Sequence, residues 1–363
     1  MKAVVLAGGY ATRLRPISYV LPKLLFPVAG KPMIHWTLDL LRRFRVDEVV
    51  LGVNYLADAL RNRVGDEYHG IRIKYSLEEL PLGTAGPIKL ASTKMKLTDT
   101  FIAMNGDIIA NINLNEILNR HTASHTAVTD VLHEVDDPSQ FGVVELDSKS
   151  RIMRFVEKPN RKETFSKLIN AGIYLVNRSV LGMIPSGQKV SLERDIFPVL
   201  AHRRKLGGFI HSGYWFDIGS ISDYKNANFA LMKTYGYGTS REHANFAKYS
   251  KFATPFVVGK DVKASREVRV GPNVVIGDGA HLGSRCRISN SIIFDHVNIG
   301  METRISGAIV ASDSLIGKKV MLEPESIISP NVIVRDGVRI GKGAIIHPYR
   351  EITENVKPWT QIM

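Results

Sequence analysis

From Val258 onward the chain repeats every six residues, and few folds tolerate such a period. The units VGKDVK, ASREVR, VGPNVV, IGDGAH, LGSRCR and ISNSII run without a break from Val258 to Ile293. A five-residue unit, FDHVN, is followed by IGMETR and ISGAIV. A second, ASDSL, is followed by IGKKVM, LEPESI, ISPNVI, VRDGVR, IGKGAI, IHPYRE and ITENVK, which makes 17 units in all. Each unit opens on an apolar residue, often continues with a small or turn-forming one, and returns to a small or apolar residue at its fifth position. Such a pattern specifies a parallel β-helix, with one short strand and one corner per unit and the first and fifth side chains turned into a narrow core. Cys286, the only cysteine, falls on a fifth position and reads as a small buried thiol. A single cysteine excludes an intrachain disulfide and fits a reducing compartment.

The first two-thirds reads differently. Strand-like runs at Lys2–Leu6, Glu48–Val53, Ile71–Tyr75 and Thr100–Asn105 alternate with helical spacing at Ile34–Phe44, Ala57–Val64, Thr84–Thr93 and Leu114–Ser124. This alternation predicts an α/β domain with a mostly parallel, Rossmann-like sheet covered by helices on both faces. In such sheets ligands bind beyond the carboxyl ends of the strands. Four further runs, Val128–Leu132, Gly142–Leu146, Ile152–Val156 and Ala171–Val176, read as antiparallel additions forming a second wall of the cleft. A helix at 222–234 gives way to a polar, Gly- and Ser-bearing stretch. The expected organisation is a catalytic domain at 1–235, a linker at 236–256 and a β-helix domain at 257–363.

No run of about 18 uncharged apolar residues is present, so no membrane span is expected. The N-terminus enters a strand directly, without the charged start and long apolar run of a signal peptide. Together these features predict a cytoplasmic protein. The net charge of +13 is dispersed, densest in RRFR at 42–45 and HRRK at 202–205. No basic stripe is interleaved with aromatics, so nucleic acid is not an expected partner.

Residues 6–32, LAGGYATRLRPISYVLPKLLFPVAGKP, carry the chemistry. Two glycines after an apolar strand let the main chain approach a ligand closely, and free N–H groups with Arg13, Arg15 and Lys23 suit phosphate oxygens. Neither a Walker loop nor a GxGxxG spacing is present. Two carboxylates, Asp107 in MNGDI and Asp217 in YWFDIG, suit a shared hard cation. Taken alone, each also suits a simple turn cap, and Lys158 in FVEKP an exposed turn.

The block at 6–32 resembles the signature of the sugar-phosphate nucleotidylyltransferases, roughly LAGGxGTRLRPLTxxxPKPLxPVxGKP. That resemblance implies Leu6, Ala7, Gly8, Gly9, Arg13 and Lys23 at the nucleotide, and Asp107 and Asp217 as ligands of Mg²⁺. It implies Lys158 on the phosphate of the incoming sugar, Glu157 and Asn170 on sugar hydroxyls, and the Gly142 main chain lining the sugar pocket. Gly172 of NAGIY belongs to the same segment. The nucleobase is read near LPLGTAGP, with Gly83 and Thr84 close to the base. Five residues before Gly83, where thymidylyl- and some uridylyltransferases tend to carry Gln, stands Glu78. A carboxylate accepts two parallel hydrogen bonds, which matches the N1–H and N2–H₂ edge of guanine. A solvated acidic turn at Glu78 and Glu79 is the other reading.

EELPLGTAGP, DPSQFGVVELD, FVEKP, KLINAGIYLV and SLERDIFPVLA look most like the branch that makes GDP-mannose from GTP and mannose 1-phosphate. The hexapeptides resemble the left-handed β-helix family and imply a homo-oligomer joined through that domain. Three positions depart from the signature: Ala11 for Gly, Leu24 for Pro, and Ser220 after the aspartate motif. Three other activities stay open on sequence alone: transfer of another nucleotide, acyl transfer on the β-helix through His281, His296 or His347, and a non-catalytic regulatory role.

Overall fold

The computed structural model describes residues 1–54, 56–235 and 251–363. Positions 236–250 of the expected linker lie outside the described residues. The chain forms two compact units, one of Met1–Tyr10 with Met33–Asp217, the other of Ala11–Pro32 with Ile218–Met363. In chain order the elements up to residue 235 are β1 (Lys2–Leu6), β2 (Pro27–Val28), β3 (Lys31–Pro32), α1 (Met33–Arg43), β4 (Glu48–Val53), α2 (Ala57–Val64), β5 (Glu67–Tyr68) and β6 (Ile71–Leu77). They continue with α3 (Gly86–Lys94), β7 (Thr100–Asn105), β8 (Ile108–Ala110), α4 (Leu114–Ser124), β9 (Val128–Glu134), β10 (Gly142–Leu146), β11 (Ile152–Glu157) and β12 (Leu168–Asn177). The last are α5 (Phe197–His202), β13 (Leu206–Ile210), β14 (Trp215–Asp217) and α6 (Ile221–Tyr235). Among the described residues no helix is long and apolar enough to cross a membrane.

The first unit is built on a ten-stranded sheet with the path β11-β10-β12-β7-β1-β4-β6-β5, extended by β9 on β12 and β13 on β9. The β1, β4, β6 and β7 strands run parallel; β1, β4 and β7 are buried on both faces, whereas β6 alternates, with Arg72, Lys74 and Leu77 exposed. From β12 outward the pairing with β7, β9 and β10 is antiparallel, as the β-branched and aromatic runs predict. Sequence spacing misses β8, β13 and β14. β8 and β14 have three residues each, and Gly207 and Gly208 leave β13 without apolar alternation. Tyr174, Phe155 and Phe197 close the core beneath β12, with ring centroids 5.2 Å and 5.4 Å from Phe197.

In the second unit, three parallel sheets of 6, 7 and 6 strands stack coil on coil into the expected parallel β-helix, of the left-handed type implied by the hexapeptides. A coil of three hexapeptides advances 18 residues, as in Arg269 over Lys251 and Arg287 over Arg269. The next two coils advance 17, so that Arg304 lies over Arg287 and Met321 over Arg304. The shortened units are therefore present, but their phase differs from the sequence reading. Ile293 and Val310 join the inner core, while Ile292, Phe294 and Ile309 do not. The five-residue units are thus ISNSI and ISGAI.

Backbone conformation gives the reason. In six-residue units the left-handed corner falls on the fourth residue, as at Asp261, Glu267, Arg285, Glu302 and Asp313. In ISNSI and ISGAI it falls on the third, Asn290 and Gly307, because the residue before the corner is missing. Each non-glycine corner costs about 1–2 kcal/mol, and backbone ladder bonds between coils offset that cost. Ser291, Thr303 and Ser314 occupy inner positions with their hydroxyls satisfied: each donates to a carbonyl, of Ser289, Gly317 and Ser329, at 2.6–3.0 Å. Cys286 is fully buried, and burial pushes its thiol up to about 11.

Outward-facing residues sort the helix by face. One sheet presents Val275, Ile292, Ile309 and Ile327, all buried. Within this unit Phe26 and Tyr224 pack edge-on against Phe294, with centroids 5.7 Å and 6.2 Å away. The Tyr224 hydroxyl donates to the Pro27 carbonyl at 2.6 Å, and the Ala29 N–H donates to Asn228 Oδ1 at 2.8 Å. Segment 11–32 is thereby fastened to α6. Ile316, 1% exposed, lies in the inner core. Ile316→Ala is expected to cost about 2–5 kcal/mol, read as a lowered urea midpoint for the β-helix.

Candidate active site

The parallel pairing of β1 with β7 sets Leu6 beside Asn105. Just beyond, the Gly106 N–H donates to the Leu6 carbonyl at 2.9 Å, and the Ala7 N–H donates to the Gly52 carbonyl at 2.8 Å. The glycine loop and the MNGD turn therefore leave the same edge of the sheet, as the strand pattern predicts. Asn54 Nδ2 donates to the Gly8 carbonyl and fixes the loop from its other side.

Glu78 lies against this loop. A Cβ on Gly8 would collide with its carboxylate, so the glycine permits this close approach. Glu78 is 8% exposed, which removes the solvated-turn reading for it, whereas Glu79 is exposed. Burial raises its pKa, and the Leu82 N–H donating to Oε2 at 3.2 Å partly opposes the rise. Gly83 has a φ of +79°, and a Cβ there would collide with the Val190 main chain.

The two aspartates converge through a short ribbon. Antiparallel pairing of β14 with β8 sets Asp217 opposite Ile108, the neighbour of Asp107. Both carboxylates are partly buried at one end of this ribbon. Two hard oxygen donors fit Mg²⁺, which keeps few protein ligands. Among the described residues there is no cluster of three or more His, Cys, Asp or Glu suited to a metal.

The residues expected at the sugar also meet. Gly142 pairs with Glu157 across β10 and β11, and a Cβ on Gly142 would stand 3.0 Å from Glu157 Oε2. Burial raises the Glu157 pKa, and nearby Glu193 adds to the rise. Lys158 has a φ of +49°, although it precedes Pro159, a position that disfavours such a backbone. Its side chain is 58% exposed, with Nζ 3.7 Å from Glu157 Oε1. Asn170 opens a bulge in β12 that carries Gly172 at a φ of +72°. Asn170 Oδ1 accepts the Gly172 N–H at 2.7 Å, and a Cβ on Gly172 would stand 2.6 Å from Asn105 Nδ2. The NAGIY and MNGD motifs are thus in contact. Trp215 Nε1 donates to the Ala171 carbonyl at 2.9 Å and ties β14 to the same bulge.

Arg13 and Lys23 belong to the second unit. Arg13 lies on Gly219, where a Cβ would stand 2.8 Å from Nη2. Ala11, the departure from glycine, adopts the left-handed conformation all the same, with a φ of +46°. Its carbonyl accepts the Ser18 hydroxyl and the Leu14 N–H, both at 2.9 Å, which hold the turn against the steric cost of its methyl group. Among the histidines of the β-helix, His296 Nδ1 lies 3.4 Å from Asp313, and the His347 ring centroid is 5.9 Å from Tyr19.

Sequence reasoning misses a buried polar group behind the site. Glu193, on a π-helical turn at Leu192–Ile196, accepts the Thr84 hydroxyl at 2.5 Å and the Ser191 hydroxyl at 2.7 Å through Oε2. The Tyr174 hydroxyl reaches Oε1 at 3.4 Å and accepts from Asn170 Nδ2 at 2.9 Å. Glu193 therefore connects the loop carrying Gly83 and Thr84 to the loop carrying Asn170. Beside this group Asp130 is 0% exposed, and both carboxylate oxygens are without a hydrogen-bond partner among the described residues. Burial, reinforced by Glu193, raises its pKa well above 3.8 and so favours the neutral acid. Folded protein then binds a proton that unfolded chain has released. Stability is expected to fall as pH rises from 3.8 toward the native value of Asp130. Asp130→Asn should flatten that slope in urea titrations across pH.

Residues 2–234 match the Nucleotidyl transferase family, and residues 252–362 match the GMPPB C-terminal domain. A mannose-1-phosphate guanyltransferase of Pichia angusta is 34% identical over 98% of both chains. Mannose-1-phosphate guanylyltransferase 1 of Arabidopsis thaliana is 33% identical, again over 98% of both. Among solved structures, HddC from Yersinia pseudotuberculosis complexed with GMP-PN has a TM-score of 0.53 and 27% identity, covering 63% of this chain and 99% of that one.

Proposed function

The chain belongs to the nucleotidyl transferase family, and we propose that it joins mannose 1-phosphate to the GMP moiety of GTP, releasing pyrophosphate. The observation that carries this reading is Glu78. It is a buried carboxylate pressed against the Gly8 main chain, where an acceptor pair matches the donor edge of guanine.

In this reaction an oxygen of the sugar phosphate attacks the α-phosphorus in line, and the bond to the leaving pyrophosphate breaks. Positioning and charge neutralisation supply most of the acceleration. Asp107 and Asp217 would hold Mg²⁺, which when bound neutralises charge on the reacting phosphates. Leu6 to Gly9 offer main-chain N–H groups to the nucleotide phosphates, and Arg13 and Lys23 balance the triphosphate charge. Gly83 and Thr84 border the base. Lys158, on its strained turn, orients the attacking phosphate. Glu157 and Asn170 accept and donate to sugar hydroxyls beside Gly142 and Gly172. Support for these roles comes from the signature motifs and, for the residues of the first unit, from the contacts among them.

The same reading includes a cytoplasmic location and a homo-oligomer joined through the β-helix, whose open final coil offers strand edges to a second subunit. Sedimentation tests the oligomer.

Pyrophosphate release with Mg²⁺, crossing five nucleoside triphosphates against mannose and glucose 1-phosphate, tests the reaction. A preference for GTP with mannose 1-phosphate is expected; a preference for dTTP or UTP would overturn the role of Glu78. Glu78→Gln should weaken the GTP preference. Lys158→Ala should lower turnover about 10²–10³-fold, by analogy with a lost transition-state donor. Unchanged turnover at saturating sugar phosphate would remove it from the mechanism.

A further inference from the structure

The densest basic run of the chain, HRRK at 202–205, takes no part in the proposed reaction. It ends α5, and the fold gathers other cations around it. Arg203, Arg204 and Lys205 line a pocket of about 600 Å³ together with Arg120 from α4 and with Lys149 and Arg151 from the β10–β11 turn. His125 completes the wall, and among the described residues no acidic side chain lines it.

Part of this charge has an ordinary explanation. Both α4 and α5 end here, and each helix C-terminus carries about half a negative charge. Asp147 adds one more, but its carboxylate is engaged by the Arg151 and Lys149 N–H groups at 2.9 Å and 2.8 Å. Hydrogen bonding from Arg151 leads the causes that hold its pKa below the usual carboxylate value. Together these supply about two negative charges, against six cations. An excess of about four positive charges stays in a concave site of ligand size. The rim is tied in place as well. Arg120 donates to the Ser150 hydroxyl, and Lys205 Nζ donates to the His125 carbonyl at 3.4 Å.

We propose that this pocket binds a compact polyphosphate anion, either inorganic or the tail of a nucleotide, at a site separate from the one that performs the reaction. Four arginines in one concavity favour bidentate contacts with phosphate oxygens. The lining offers no aromatic platform for a base other than His125, so phosphates carry the recognition.

Calorimetric titration with inorganic tripolyphosphate tests this on the full-length protein. The wild type is expected to bind about two equivalents, one lost on Arg203→Gln/Arg204→Gln, the other on Arg13→Ala/Lys23→Ala. Both Arg203 and Arg204 are exposed, so their variant should fold and keep kcat and KM within about twofold. The affinity of the site left in Arg13→Ala/Lys23→Ala should drop at least tenfold between low and high salt. GTP competing for that site assigns it to nucleotide tails; its failure to compete assigns it to free polyphosphate. Full binding by Arg203→Gln/Arg204→Gln would overturn the proposal. Loss of an equivalent there, with none lost in Arg13→Ala/Lys23→Ala, would support the pocket and count against the catalytic roles instead.

Discussion

Parallel pairing of β1 with β7 is the constraint on which the candidate site rests. It sets Leu6 beside Asn105, so the glycine loop and the MNGD turn emerge at one edge and share a hydrogen bond from Gly106 to Leu6. Both strands are buried on both faces, so a one-residue slip would expose no face; it would instead carry Leu6 away from Asn105 and break the Gly106–Leu6 bond. The carboxylate of Asp107 inherits its position from that register. Asp217 reaches the same ribbon end only through the pairing of β14 with β8.

Around that edge the glycines mark where the main chain or a side chain must come close. Gly8 admits Glu78, Gly172 admits Asn105, and Gly142 admits the Phe155 ring with Glu157 beside it. Each is a short-range steric demand at a position where the family signature places a ligand contact. Behind them Glu193 joins Thr84 to Tyr174 and so to Asn170. The loops assigned to the two substrates are therefore braced against one buried carboxylate rather than standing independently. Networks of this kind hold geometry well when every member is satisfied. Beside it Asp130 has no hydrogen-bond partner among the described residues, and burial favours its neutral form.

In the β-helix a single residue per unit decides what the domain shows to its surroundings. The residue after the inner fifth position faces outward and separates a buried apolar face from an exposed column with Arg269, Arg287 and Arg304. Phe26 and Tyr224 pack on Phe294 of the repeat domain, and the signature segment 11–32 and that domain form one packed unit.

By itself, the sequence determined the α/β architecture, the β-helix and the family, because each rests on a local period or a contiguous motif. The strands at Glu48–Val53, Thr100–Asn105 and Gly142–Leu146 and the helices at Ala57–Val64 and Leu114–Ser124 have the boundaries the spacing predicts. The buried thiol of Cys286 was equally legible from its fifth position. Tertiary structure alone decided the phase of the short repeat units, because the left-handed corner, not the apolar residue, sets where a unit begins. It also decided that Glu78 is buried while Glu79 is not, that Ala11 takes a glycine-like backbone, and that Glu193 links two distant loops. Those outcomes depend on which surfaces meet across long stretches of chain, and no local pattern encodes them.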